Sequence, residues 1–408
     1  MDVLPLTLAL TGLAGMMLAV FSAPMERRVP VTGPMAALTL GVLAGPAVLG
    51  LVRVPDATRD LLLLEGSRIL LAASVMAAAL RYPARSLGSL WRPTLVLLPV
   101  VMPLSALATG VVGVAAGIPV SLALVVGACL APTDPVLASA VVSGERAERT
   151  LPHRVRSMVS LESGANDGLG VVFVAVAIAL LTPGAGLGTA VAHVSWQLVL
   201  GMVVGALLGW AGGRALTWAR DHHDVTDGPE LVYSLLLALG VLGVCRLIDA
   251  ADVLAVFVAG LVYNLVVADV PRRSQEAVDE GINNFAVLPL FGLLGVVLPW
   301  AQWQEMGLLA AGVVVLGVLL VRRLPWVLAA ARALELPPRQ AAYAGFFGPM
   351  GVSALFYAAQ AQHEGVGDPR LFGLVTLAVT ASVVVHGLTG VPGHRLYARW
   401  FGEEGDTA

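Results

Sequence analysis

The sequence predicts an all-α, polytopic membrane protein built from two inverted six-helix repeats, with a pair of broken helices crossing at its centre. Three observations predict it. The 408 residues are 58% hydrophobic and 12% charged, with a mean hydropathy of +0.85, whereas soluble domains are about one-quarter charged. Apolar runs of about 20 residues, the length that crosses a bilayer, follow one another from end to end. Two of these runs are interrupted in the same way: Pro132 and Pro135 break the run near 119–142, and Gly348-Pro349-Met350-Gly351 breaks the run near 340–362. Gly/Pro-broken spans at corresponding places in two halves point to an inverted repeat with a binding site at their crossing.

At that span length the chain reads as about thirteen helices, near 4–22, 31–52, 60–80, 93–116, 119–142, 155–181, 189–218, 229–248, 252–268, 283–299, 305–330, 340–362 and 370–391. Spans 1–6 and 8–13 make the repeats, and span 7 connects them. All 24 basic residues other than His are Arg, and most of them fall in alternate connections. Arg27 and Arg28; Arg81, Arg85 and Arg92; Arg146, Arg149, Arg154 and Arg156; Arg214 and Arg220; Arg272 and Arg273; Arg322, Arg323, Arg332 and Arg339; and Arg395 and Arg399 form the rich set. The opposite set holds Arg53, Arg59 and Arg370. The positive-inside rule then places the N-terminus outside and the C-terminus in the cytoplasm, as an odd number of spans requires. Trp91, Trp196, Trp300, Trp303, Trp326 and Trp400 lie at or near span ends, where amphipathic rings favour the membrane interface. Cys129 and Cys245 sit in apolar runs and read as small core residues. The first run lacks a basic flank, so no cleaved signal peptide is expected, and the short stretch after Trp400 leaves no soluble domain to be expected there.

The candidate site lies between Ala131 and Gly170. Asp134, Glu162 and Asp167 are carboxylates inside apolar spans, where an acid costs about 2.5 to 3.5 kcal/mol to insert and usually lines an ion or proton path. On one helix Ser163 and Asp167 stand four apart, and Glu162 and Asn166 stand four apart on the adjacent stripe. Pro132 and Pro135 lack N–H donors, so carbonyls near Thr133 lose their helical partners. Carbonyl, hydroxyl and carboxylate oxygens together suit a small hard cation; a polar contact between packed helices is the plainer alternative. Elsewhere, Glu65 and Arg68 are spaced to pair with each other, and Arg246, Asp249 and Asp252 cluster at a short connection where Asp252 caps span 9. His386 and Asn264 read as hydrogen-bonded packing groups, and His222 and His223 as a solvated loop. No zinc-ligand cluster, phosphate loop or nucleophile with a positioned base is evident, so an enzyme is not expected, nor a cofactor, nor a nucleic-acid partner.

Pro132-Thr133-Asp134-Pro135, followed by Glu162-Ser163-Gly164-Ala165-Asn166-Asp167-Gly168, resembles the monovalent cation:proton antiporters of the branch with an Asn-Asp pair. Ala255 to Asn264, Leu62 to Ile69 and Phe347-Gly348-Pro349-Met350-Gly351-Val352 extend the likeness, which is nearest to the fungal plasma-membrane sodium/proton antiporters and their bacterial relatives. The resemblance implies scaffold and dimerisation helices in 1–90 and 185–301, a moving core in 91–184 and 302–392, and a cytoplasmic tail at 393–408. It implies a homodimer in a plasma or inner membrane. Sodium or lithium would exchange one for one against a proton, by competition at Asp167, with Thr133, Ser163, Asp134 and Asn166 around it. The same residues would serve a potassium/proton exchanger; a cation channel and a non-transporting sensor are the other readings. One departure stands out: many members carry an Arg at the position matching Met350, paired with the acid matching Glu162. Arg68, directly or through Glu65, is therefore the expected partner of Glu162.

Overall fold

The computed structural model describes Met16 and residues 31–81, 84–142, 144–181, 186–222, 227–267 and 287–401. The expected first span (4–22, apart from Met16), the loops with Arg27, Arg28, Arg272 and Arg273, His223, and residues 402–408 lie outside the described residues. All described secondary structure is helical. Among the described residues, six helices are long and apolar enough to cross a membrane by themselves, and several shorter apolar helices accompany them.

In chain order, α1 is Gly33–Ala44, and α2 runs from Asp56–Leu61 through a π-helical turn, Leu62–Gly66, into Ser67–Leu80. α3 likewise runs from Ala84–Val96 through a π stretch, Leu97–Val101, into Met102–Ala115. Pro93, Pro99 and Pro103 explain the second disturbance, since each removes a donor from the ladder. The broken first-half span is α4 (Val120–Leu130) and α5 (Pro135–Val142), followed by the short α6 (Gly144–Thr150). Then come α7 (His153–Leu181), α8 (Leu187–His222), α9 (Asp227–Leu247), α10 (Asp252–Val266), α11 (Leu288–Val296) and the short α12 (Trp300–Met306). The expected span near 305–330 is itself interrupted: α13 (Leu308–Leu320) ends at Val321, and α14 (Leu324–Ala329) restarts with Pro325 in its first turn, where a missing N–H costs nothing. The second broken span is α15 (Pro338–Phe346) and α16 (Val352–His363). Finally, α17 (Arg370–Phe401) passes through Pro392 and continues ten residues beyond the expected end at 391. Tertiary packing overrides the proline here: Tyr397 is fully buried, edge-on to Tyr343 at 5.3 Å.

Close helix approach depends on small residues, as expected where lipid supplies no hydrophobic drive between helices. Gly201, Gly205 and Gly209 of α8 lie against Ala251, Ala255 and Ala259 at and along α10, and a Cβ on Gly201 would stand 2.6 Å from the Ala251 carbonyl oxygen. α7 is the hub. Every residue from Val155 to Gly168 is buried, so its polar stripes face protein on all sides rather than lipid.

Candidate functional site

The two breaks meet. The Asp134 amide donates to the Pro349 carbonyl at 2.9 Å, which joins the gap between α4 and α5 to the gap between α15 and α16. The Asp134 carboxylate caps both downstream half-helices: Oδ1 accepts from the Leu137 amide at 3.0 Å, and Oδ2 accepts from the Val352 amide at the start of α16. Helix N-termini carry partial positive charge and unsatisfied N–H groups, so one buried anion serves two of them. A Cβ on Gly351 would stand 2.6 Å from Asp134 Oδ2, so the glycine lets α16 approach that closely.

The upstream ends are the mirror case. Arg322 donates through Nη1 to the carbonyls of Leu130 at 2.9 Å, Ala131 at 3.2 Å and Pro132 at 3.2 Å, and through Nη2 to the Gly348 carbonyl. Orphan carbonyls at the C-terminal end of α4 and in the α15–α16 gap thus share one guanidinium. Its neighbour Arg323 makes a two-pronged ion pair with Glu162, at 2.7 Å to Oε1 and 3.0 Å to Oε2. This corrects two expectations. Arg322 and Arg323 are not loop charges: they are 2% and 4% exposed, at the interruption between α13 and α14. The partner of Glu162 is Arg323, and Arg68 is committed elsewhere. The signal that could have found the pair is the apolar sequence on both sides, Leu308 to Val321 and Leu324 to Ala331, which leaves two arginines inside a span.

The remaining polar groups tie α7 to the first break. The Asn166 side chain donates to Thr133 Oγ1 and to Glu162 Oε1, both at 2.8 Å, and accepts from the Thr133 amide at 3.2 Å. Thr133 Oγ1 also lies 3.0 Å from Ser163 Oγ and 3.4 Å from Glu162 Oε2. Asn166 is therefore fully used in holding α7 against Thr133. Arg323, Glu162, Asn166, Thr133 and Ser163 form one continuous buried network.

Asp167 stands apart from it. Its side chain is 0% exposed, and among the described residues it is the only buried carboxylate with no hydrogen-bond partner on either oxygen. The Ser353 hydroxyl of α16 is close enough to interact with it, yet it is itself buried without a hydrogen bond. Tyr357, one turn further along α16, donates its hydroxyl to the backbone carbonyl of Asp167. A bare, unpartnered carboxylate is costly in such a place; a proton or a monovalent cation removes that cost. Ser353 was not legible as a site residue, because a lone Ser two residues after Gly351 carries no pattern.

The other candidates fall outside this centre. Arg68 pairs with Glu65 at 2.7 Å and lies 3.6 Å from Asp252, while Arg246 holds Glu65 at 2.6 Å. The Asp252 carboxylate accepts from the Val253 amide at 2.7 Å in the first turn of α10. His386 is hydrogen-bonded at both ring nitrogens, to Ser382 and to the Phe346 carbonyl, and Asn264 donates to the Ala79 carbonyl at 2.9 Å. Both serve packing, as expected.

Comparison with known proteins agrees with this geometry. Residues 16–393 match the family described as sodium/hydrogen exchanger, transmembrane. The chain belongs to that family. A Na(+)/H(+) antiporter of Zygosaccharomyces rouxii is 31% identical over 345 residues, covering 79% of this chain and 42% of the yeast protein. A Na(+)/H(+) antiporter of Schizosaccharomyces pombe is 28% identical over 397 residues, covering 85% of this chain and 84% of that one. The chain thus spans less than half the length of the first relative and most of the second. The solved structure of a sodium proton antiporter from Methanocaldococcus jannaschii superposes with a TM-score of 0.78 at 19% identity, covering 98% of this chain and 100% of that one. The fold is therefore the sodium/proton antiporter fold, and the chain is a multi-pass membrane protein.

Proposed function

We propose that this chain exchanges a monovalent cation, sodium or lithium by preference, for protons across a membrane by alternating access, and that Asp167 is the carboxylate the two ions share. The observation that carries this reading is the contrast among three buried acids. Asp134 is occupied by two helix termini and Glu162 by Arg323, whereas Asp167 has no ion-pair or helix-end partner and only the Ser353 hydroxyl near its carboxylate. Only a group free of internal partners can hand a cation over for a proton and back. The hydroxyls of Ser163 and Ser353 and the backbone carbonyl of Thr133 are the oxygens we assign to the cation beside Asp167, a hard-ligand set that suits it. Asn166 positions α7 rather than binding the ion.

Charge accounting favours an electroneutral cycle. Glu162 is matched by Arg323, and Asp134 by Arg322 on the opposite helix ends, so one titrating carboxylate remains, and one proton is exchanged per cation. A pH difference of one unit, about 1.4 kcal/mol, then sustains about a tenfold cation gradient. We assign α3 to α7 and α13 to α17 to the moving core, the rest to a scaffold that forms a homodimer, and the C-terminus to the cytoplasm. Cation-dependent proton movement in proteoliposomes, with sodium, lithium and potassium supplied in turn, tests the reading. Exchange with sodium or lithium supports it, potassium alone would make the chain a potassium/proton exchanger, and no cation-dependent proton movement would refute it.

A further inference from the structure

A second polar centre lies along α16, away from the crossing. Ser353, Tyr357, Gln360 and Glu364 follow one another at three- and four-residue spacing, and Phe356 stands three from Ser353 and four from Gln360, so they share a face that runs from Asp167 outward. The outer part of that face lines a cavity of about 410 Å³. Exposed His193 and Asp249 stand at its mouth, and Gly168 and buried Tyr357 line its inner part. The cavity thus ends one residue from Asp167, which is not itself a lining residue.

Arg68 stands where the stripe turns from wet to dry. Its guanidinium lies 5.2 Å from the centre of the Phe356 ring, within the range of a cation–π contact. The same guanidinium is held by Glu65 at 2.7 Å, which Arg246 grips in turn, and lies 3.6 Å from Asp252. Three scaffold elements, α2, the end of α9 and the start of α10, therefore press one positive charge onto a core helix. Glu65 lies in the π turn Leu62–Gly66. No proline accounts for that turn, and such insertions recur at functional sites.

We propose that Arg68 is a gating residue: a tethered cation that closes the approach from this cavity to Asp167, and that yields Glu65 and Asp252 to an incoming monovalent cation when it leaves Phe356. Glu65 and Asp252 then form a transient waypoint for the transported ion, and Gln360 and Glu364 the polar rail leading to it. The proposal rests on Asp167 being the transport carboxylate. Its test reads accessibility, so that its failure can be told from the failure of that assignment.

The test places a reporter thiol at Ser353→Cys, behind Arg68, with Cys129→Ala and Cys245→Ala removing the native thiols, and measures its modification by a cationic, membrane-impermeant methanethiosulfonate. Arg68→Gln should speed modification by about fivefold or more, the factor given by one cation's Coulomb energy at about 4 Å in water, and Arg68→Lys should stay near the native rate. Glu65→Gln, which loosens Arg68 without removing it, should speed modification as well and remains readable if Arg68→Gln does not fold. With Ser353 restored, Arg68→Gln should lower the apparent cation Km, because Asp252 loses the guanidinium beside it and Glu65 keeps only Arg246. Modification rates unchanged by Arg68→Gln, or by Glu65→Gln where Arg68→Gln does not fold, would overturn the gate. Loss of exchange in Arg68→Gln at an unchanged modification rate would overturn it too, by marking Arg68 as structural.

Discussion

Removing Arg323 should be far more damaging than removing Arg323 and the charge of Glu162 together. The pair is two-pronged at 2.7 and 3.0 Å, and the two side chains are 5% and 2% exposed, so water cannot replace the lost partner. Breaking a buried pair from one side costs about 3 to 5 kcal/mol, whereas replacing both members by uncharged groups is often nearly neutral. Glu162 keeps the Asn166 amide at 2.8 Å and the Thr133 hydroxyl at 3.4 Å, which places Arg323→Met near the lower limit, at about 3 kcal/mol. Glu162→Gln leaves the guanidinium against a neutral acceptor and should cost somewhat less. The double variant should recover most of the loss, leaving a cost of about 1 kcal/mol and hence a coupling of about 4 kcal/mol, above the usual range for residues in one network because the pair is fully buried. Thermal unfolding of the purified protein in detergent, run on the wild type, both singles and the double, measures the cycle. The charge-reversed pair, Glu162→Arg with Arg323→Glu, checks its orientation. Additive single effects, with coupling below about 0.5 kcal/mol, would refute the pairing.

Asp134→Ala strips the caps from two half-helices, each worth about 1 kcal/mol, and should abolish exchange or raise the apparent cation Km, while Asp134→Asn, which keeps one acceptor oxygen, should be milder. Wild-type kinetics in Asp134→Ala would make Asp134 dispensable. Gly205→Leu forces a side chain onto the Ala255 backbone and should lower the melting temperature in detergent without altering the cation Km of the folded fraction; an unchanged melting temperature would mean that α8 and α10 do not depend on that contact. A potassium-valinomycin diffusion potential should leave the exchange rate unchanged, and acceleration of either sign would count against one proton per cation.

Much of the centre was legible because its residues violate their surroundings. Asp134, Glu162 and Asp167 stand in sequence too apolar to tolerate them without cause, and the four-residue spacing of Glu162 and Asn166 reappears as a 2.8 Å hydrogen bond. Pro132, Pro135, Gly348, Pro349 and Gly351 marked both breaks, since each acts on the local ladder that sequence reports directly. Arg322 and Arg323 were misplaced because loop arginines and buried arginines look alike when charges are counted between spans. Only the carbonyls of residues 130–132 and 348 and the Glu162 carboxylate, more than 20 residues away in each case, decide the matter. Asn166 could be seen to face the site, but its three partners lie on two elements, so its positioning role needed coordinates. The same holds for Ser353 and for the contact of Arg68 with Phe356.

Asp167 carries the central claim, and proton release tests it most directly. The purified protein in weakly buffered detergent solution, loaded with protons at a pH where exchange runs, should release about one proton per chain when sodium is added, if a cation and a proton compete for one desolvated carboxylate as proposed. Asp167→Asn should release none on adding sodium while melting at or above the wild-type temperature, since the amide removes an unpartnered buried acid. Release that persists in a folded Asp167→Asn protein would contradict the account and place the shared group elsewhere.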